Sequence, residues 1–488
     1  MTNLIVELAK YIFIILICFY TYQSFNVFRT HDIRKQNKIF LNQNYLMFLM
    51  HLMGYLVIYI KTDDLKVWVF YGAQVVLLAG MLLFYALVYK RSSRLLTNNV
   101  CMLLTISFII LTRIDFDSSV RQFRIVVASA VISAVIPALI RRVRVFRSME
   151  WLYAGVGVAA LGIVALFGFT SYGANLSFTI AGVTVQPSEF VKLLFVFFVA
   201  SRFQKSKELK DVLITSVVAA LHVIILVLSR DLGMALIFFV VYMSMLYAGT
   251  KNKPLTAAGL LGGGVASVAA YHLFSHVRVR VQVWKDPFGN YDNGGYQVAQ
   301  SLFAIGTGGW FGMGLFQGSP SKIPVVKKDF IFSAIVEEMG GIFGICLILI
   351  CLSCFVMFVN ISIQLKDEFY QLVALGLGVS YAFQVFLTIG GGIKFIPLTG
   401  VTLPLISMGG SSMLSTLMMF AVIQGMYILR EDEGEEVERE PKQQKASGRK
   451  KRTAAGGTGN SGSGKRRREE KAAGPKRHPA QGQRQEGR

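Results

Sequence analysis

Asp329 stands where a polar stretch, Ser275 to Gly340, meets an apolar run, with Lys327 and Lys328 before it and Glu337 and Glu338 after it. Placing a carboxylate at the top of a hydrophobic span is costly, so ionisable groups at or inside a membrane boundary are functional candidates. A second charged set opens another apolar run: Gln186-Pro187-Ser188-Glu189, followed by Lys192. At that spacing Glu189 and Lys192 share a helix face. Helix capping accounts for Ser188 and in part for Glu189. It does not account for Lys192, and an intramembrane Lys one turn from a Glu reads as a pair facing a protein cavity. Asp231 and Asp329 also stand where an ordinary helix cap would. Together these residues point to a membrane enzyme in which Asp329 is the reactive group and most of the others position a lipid-linked substrate.

The elements that hold these residues must be membrane spans. The chain has 488 residues, 53% of them hydrophobic and only 16% charged. Its apolar residues fall in runs near the ~20 needed for a helix to cross a bilayer. Thirteen runs begin near Leu4, Tyr45, Val67, Val100, Phe123, Trp151, Ser188, Val212, Leu232, Leu255, Phe330, Phe369 and Thr402. The expected fold is therefore an all-α polytopic membrane protein. The first run keeps Glu7 and Lys10 and has no small-residue cleavage site, so it reads as a retained span and not a signal peptide.

The net charge of +22 collects in alternate short loops and in the C-terminal tail. That is the positive-inside bias of a membrane protein, and nucleic acid is not an expected partner. It places the N-terminus outside, the 275–328 loop outside and the C-terminal tail in the cytoplasm. Arg121, Arg124 and Arg230 break the bias on the outer side, where they either serve an anionic ligand or snorkel to the interface. The five cysteines all lie in apolar runs. Cys351 and Cys354 form a CxxC that reads as two small apolar helix residues.

Two outer stretches are irregular in composition. The 275–328 loop carries Gln297, Gln300 and Ser301, then glycines at 306, 308, 309, 312, 314 and 318, and reads as flexible. Gly390 to Ser412 is apolar but too rich in Gly and Pro for one helix. Irregular backbone at membrane depth survives where it is buried in protein or lines a cavity, so this stretch reads as a re-entrant loop roofing one. After Arg430 the chain turns polar and repetitive, with Arg449-Lys450-Lys451-Arg452 and Lys465-Arg466-Arg467-Arg468. Residues 431–488 are expected to be a disordered basic tail.

The ordered motifs resemble the SEDS family, of the FtsW/RodA/SpoVE type. They are Gln-Pro-Ser-Glu with Lys192, Asp-Leu-Gly at 231–233, Tyr-Gln-x-x-Gln-Ser at 296–301 and the glycines of 306–314. Asp-Phe-Ile-Phe at 329–332 with Glu337-Glu338 follows, then the Pro- and Gly-rich run at 397–412 ending in Ser411 and Ser412. The chain departs from the family pattern in Lys327-Lys328 before the aspartate, in Met408, and in Asn175-Leu176-Ser177-Phe178 ahead of Gln-Pro-Ser-Glu. It is therefore similar to a divergent member.

The resemblance implies a ten-span SEDS-like catalytic core at 99–430, preceded by three extra transmembrane helices in 1–98. It implies a multi-pass protein of the bacterial cell membrane that polymerises lipid II into peptidoglycan during elongation, division or sporulation, beside a class B penicillin-binding protein. The family's essential aspartate maps onto Asp329, and its Glu and Lys onto Glu189 and Lys192. The chemistry suits the residues. Glycosyl transfer from a lipid diphosphate needs a base for the acceptor hydroxyl, which Asp329 supplies, helped toward its ionised form by Lys327, Lys328 and a helix N-terminus at Phe330. It also needs positive charge for the diphosphate, from Lys192, Arg121 and Arg230. Gln297, Gln300, Ser301, Glu338, Ser411 and Ser412 complete the expected substrate site. Asp329 and Glu338 are hard oxygen ligands that would suit Mg2+ or Mn2+, although spacing alone establishes no metal site. The rival readings are a lipid II flippase, whose site would lie near the midplane, and a non-catalytic scaffold for the transpeptidase.

Overall fold

The computed structural model describes residues 2–30, 32–143, 145–171, 174–180 and 183–455. Residues 1–434 form one compact unit and 435–488 a second. The chain opens with three long helices, α1 (Thr2–Arg29), α2 (Ile33–Thr62) and α3 (Lys66–Val88). Next come α4 (Arg94–Ile114), α5 (Phe116–Ser133), the short α6 (Ile136–Arg142) and α7 (Glu150–Phe167). A small antiparallel sheet of β1 (Phe169–Ser171), β2 (Ala174–Ile180) and β3 (Val183–Val185), in that order, then fills what reads in the sequence as an outer loop. After it come α8 (Pro187–Lys205), α9 (Leu209–Leu228), α10 (Leu232–Thr250) and α11 (Lys253–Leu273). The 275–328 stretch holds α12 (Ser275–Lys285) and α13 (Tyr296–Gly308). The last helices are α14 (Ile331–Met339), α15 (Gly341–Gln364), α16 (Glu368–Gly392) and α17 (Gly410–Ala455).

Among the described residues, 12 helices are long and apolar enough to cross a membrane. A helix also stands at the one remaining expected span, α8, which carries Glu189, Lys192, Arg202 and Lys205 and is less apolar for it. The stretch after Arg430, expected to be disordered, stays helical to Ala455, in a sequence rich in the helix formers Glu, Lys, Arg and Gln. Residues 456–488 of that expected tail lie outside the described residues.

α4 is the centre of the molecule, with every residue from Leu95 to Thr112 buried. Polar side chains hold it to its neighbours, as they do between helices in lipid. The Asn99 side-chain oxygen accepts from Tyr20 of α1 at 3.1 Å, and its amide donates to Ser353 of α15 at 2.8 Å. Asn98 donates to Gln43 of α2 at 3.0 Å, and Gln424 of α17 donates to Thr97 at 3.0 Å. The N-terminal helices thus join α5, α15 and α17 in enclosing α4.

The apolar run at Phe330 is not one span. It breaks at Gly340, whose φ of +94° suits glycine and few other residues. The glycine-rich segment before it is not a flexible loop: it lies backbone to backbone against the end of α14. Met313 N–H donates to Glu337 O at 2.9 Å, Gly314 N–H to Glu338 O at 2.8 Å, and Gly341 N–H to Gly309 O at 2.8 Å. A Cβ on Gly340 would stand 2.5 Å from the Trp310 carbonyl oxygen. By contrast, a Cβ on Gly306, inside α13, meets nothing within 4 Å. Gly340→Ala should therefore destabilise the protein by about 1–3 kcal/mol or more, while Gly306→Ala should be neutral or stabilising by up to about 1 kcal/mol. Thermal unfolding of the two purified variants in detergent checks the contrast.

Candidate active site

A cavity of about 930 Å³ opens where α5, α8, α10, α12 and the non-helical segment 393–409 converge, and Asp329 lines it. Of the residues expected at the site, Glu189, Arg121, Arg230, Gln297, Ser411 and Ser412 line it too. Six cations reach it, Arg121, Arg124, Arg230, Arg280, Lys328 and Lys394, against the three carboxylates Glu189, Asp231 and Asp329. That excess suits an anionic ligand.

The segment after α16 roofs this cavity without regular structure, yet Val401, Leu403, Leu405, Ile406 and Ser407 in it are buried. Side chains from other elements satisfy its backbone. Arg280 of α12 donates to the carbonyls of Leu398 and Thr399 at 3.1 and 3.0 Å, and Trp284 to that of Lys394 at 3.2 Å. Gln384 of α16 donates to Thr402 O at 3.1 Å. Gln122 of α5 donates to Ser407 O at 3.3 Å and accepts from Gly409 N–H at 3.3 Å. The Ser407 hydroxyl donates to Lys328 O at 2.5 Å, and Met408 N–H donates to Lys327 O at 2.8 Å, so the roof is stitched to the strip that carries Asp329.

Lys192 does not line the cavity. It is 2% exposed and lies behind Glu189, donating to Glu189 Oε2 at 2.5 Å and to Gln384 Oε1 at 2.7 Å. Ser415 donates to the same Glu189 oxygen at 3.0 Å. The Gln-Pro-Ser-Glu motif also grips the next turn: Ser188 Oγ and Gln186 Nε2 donate to Asp231 Oδ2 at 3.1 and 3.3 Å, while Asp231 Oδ1 caps α10 at Met234 N–H, 3.2 Å away. Gly233 of the Asp-Leu-Gly motif leaves room for the roof, since a Cβ there would lie 2.2 Å from Val401.

Asp329 does not cap a helix: α14 begins at Ile331 behind Phe330, with no side-chain cap. Of the two lysines before it, Lys328 acts as the sequence suggests and Lys327 does not. Lys327 is drawn away to an ion pair with Asp115 and bonds Ser118 at 3.0 Å. That pairing holds the Asp115 carboxyl down at about 2. For Asp329 itself burial dominates and pushes the carboxyl up to about 6, with Lys328 and Arg280 pulling the other way. Gly400, at φ +77°, passes beside it; a Cβ there would stand 3.8 Å from Asp329 Oδ2.

Besides Lys192, three expected site residues are not brought to the cavity. Gln300 donates to Tyr291 at 3.1 Å. Ser301 is buried against Ser333 at 2.6 Å and Gly392 O at 2.7 Å. Glu338 is ion-paired to Arg113 at 2.8 Å and accepts from Phe316 N–H at 3.2 Å. Asp329 and Glu338 therefore form no joint pair of ligands for Mg2+ or Mn2+, and among the described residues no three His, Cys, Asp or Glu side chains cluster to hold a metal. The donor set, one free-standing carboxylate flanked by cations, does not fit a protein-held cation. Conversely, Arg280 belongs to the site but is not singled out by the sequence. Its only signal is the alternating Val-Arg-Val-Arg-Val of 277–281 in an expected loop.

The FtsW/RodA/SpoVE family model, described as "Cell cycle protein", matches residues 91–431. Peptidoglycan glycosyltransferase RodA of Mycobacterium leprae (strain TN) is 34% identical over 267 residues, covering 51% of this chain and 57% of that protein. The chain thus spans little more than half the length of that relative. The probable peptidoglycan glycosyltransferase FtsW of Aliivibrio salmonicida (strain LFI1238) is 31% identical over 379 residues, covering 72% of this chain and 89% of the relative. A solved structure titled "Structural coordination of polymerization and crosslinking by a peptidoglycan synthase complex" aligns with a TM-score of 0.60 at 21% identity, covering 70% of this chain and 98% of that one. Thermus thermophilus rod shape determining protein RodA aligns with a TM-score of 0.52 at 21% identity, covering 69% and 96%. At those identities the two structures speak for the fold.

The buried Glu189–Lys192 pair makes a prediction that separates stability from activity. Lys192→Met leaves Glu189 without its cation and should cost about 3–5 kcal/mol. Glu189→Gln in the same chain removes the stranded charge and should restore much of that loss in thermal unfolding, without restoring activity.

Proposed function

This chain belongs to the FtsW/RodA/SpoVE family of cell cycle proteins, and from that premise we propose that it is a peptidoglycan glycosyltransferase that polymerises lipid II. The observation that carries the reading is Asp329, half-buried on a cavity whose other charged walls are mainly cationic. In this mechanism Asp329 accepts the proton of an acceptor sugar hydroxyl as that oxygen bonds to the anomeric carbon of the donor. The donor's bond to its lipid diphosphate breaks, and the departing diphosphate takes the electron pair. Arg121, Arg230 and Arg280, which line the same cavity, meet the charge that develops on it. Arg280 has a second task, since its guanidinium also holds the roof at Leu398 and Thr399. Lys192 acts through Glu189 as a positioning residue and not on the diphosphate.

The proposed partner is a class B penicillin-binding protein that crosslinks the strands. Its support is a structural neighbour titled for coordinating polymerization with crosslinking. The loop charges support placing the cavity on the outer face and the tail in the cytoplasm. A cysteine at Ser321, which is exposed, should then be labelled in intact cells by a membrane-impermeant maleimide, and one at Ser463 only after lysis. Labelling of both in intact cells would overturn this sidedness and the site with it.

Asp329→Asn keeps the size of the side chain but cannot take the proton. Polymerisation of purified lipid II should fall on the order of 10²-fold or more at matched amounts of folded protein. Unchanged polymerisation by the Asn variant would move the flippase or scaffold reading ahead. The pH dependence has a definite sign. A base must be deprotonated, and the Asp329 carboxyl is raised to about 6. The wild-type rate should therefore hold above that pH and drop about tenfold for each pH unit below it. An unperturbed aspartate would keep its rate down to about pH 4.

A further inference from the structure

α3 meets α5 near both of its ends. At one end Phe70 packs on Phe116 and Phe123, with ring centroids 5.3 and 5.5 Å apart. At the other, the Tyr89 hydroxyl donates to Ala134 O at 2.7 Å. Between them lies a groove of about 410 Å³, floored by α4 and α17 through Val100 and Phe420. Its lips, Val76 and Val131, are 74% and 67% exposed on spans that face lipid. A hydrocarbon chain fills such a slot with no polar cost. The wall is apolar except toward one end, where the Ser133 hydroxyl is 4% exposed, lines the groove and has no hydrogen-bond partner among the described residues.

Just beyond Tyr89 and Ala134 the surface becomes strongly basic. Arg91 and Arg141 converge on Asp432 of α17, at 2.5 and 2.6 Å, and so tie together the helices that wall the groove. Lys90 and Arg142 beside them are exposed and make no ion pair among the described residues. A basic cluster at the mouth of an intramembrane slot is the arrangement that holds an anionic lipid head group.

We propose that the groove between α3 and α5 binds an anionic phospholipid, its acyl chain along α3 and its phosphate on the basic cluster at Lys90, Arg91, Arg141 and Arg142. Ser133 donates to an ester oxygen between the two. This site is separate from the reactive cavity, which α5 lines from its other end through Arg121 and Arg124. α3 lies before the 91–431 match, so one wall of the site comes from the N-terminal helices alone.

The test uses the full chain reconstituted in nanodiscs of equal parts phosphatidylglycerol and phosphatidylcholine, then transferred to detergent and read by native mass spectrometry. The wild type should retain phosphatidylglycerol about tenfold over phosphatidylcholine. Gly80→Leu places a side chain into the groove, where a Cβ meets nothing within 4 Å, and should abolish retention. Lys90→Gln/Arg142→Gln, two surface changes, should remove the preference for the anionic lipid; this pair keeps the test decisive if Gly80→Leu does not accumulate. Equal retention of both lipids by the wild type, or undiminished phosphatidylglycerol on Gly80→Leu, would overturn the proposal.

Discussion

The structure depends on keeping a strip of irregular backbone, residues 393–409, buried beside a polar cavity. Such a strip has no ladder of its own, and peptide groups left bare at membrane depth cost several kcal/mol each. Side chains from three elements satisfy it: Gln122 from α5, Arg280 and Trp284 from α12, and Gln384 from α16. Each of these ties the roof to a wall of the site. Gln384 also accepts from Lys192, so the buried pair beneath Glu189 and the position of the roof are one network. A network of this kind rigidifies when complete and is costly when one member is lost.

The membrane spans were legible because a hydrocarbon solvent imposes a simple rule of length and apolarity, and α8 was legible for a second reason. Its Gln-Pro-Ser-Glu start and its Lys192 break that rule in a way only a protein cavity explains. What the sequence hid came from folding between the spans. Glu338 lies at the far end of α14 from Asp329 and pairs with Arg113. Lys327, two residues before Asp329 in the chain, is captured by Asp115, more than two hundred residues earlier. Arg280 looked like one cation among several in a loop, because its importance lies in where α12 sets it. The protonation tendency of Asp329 was misjudged for the same reason: neighbours in sequence were counted, while burial decides.

The glycines of 306–314 show how one composition serves opposite ends. Read as a string they suggest mobility; in place, several permit the closest backbone contacts of the region. A Cβ at Gly308 would lie 2.2 Å from Val336 O, and one at Gly312 2.4 Å from Glu338 O. The stretch that precedes Asp329 is therefore a braced platform. A platform suits a base that must hold one position against a large, flexible, lipid-bound substrate.

The burial of α4 has a consequence in time as well as in space. Its two adjacent asparagines would be expensive in lipid if they entered it unaccompanied. Asn98 is answered by Gln43, and Asn99 by Tyr20 and Ser24, all on helices made before α4. The later partners of Asn99, Ser353 and Cys354, lie 254 and 255 residues downstream. The three helices that precede the family core are thus its first escorts during synthesis: they shelter the polar heart of the molecule while most of the chain is still unwritten.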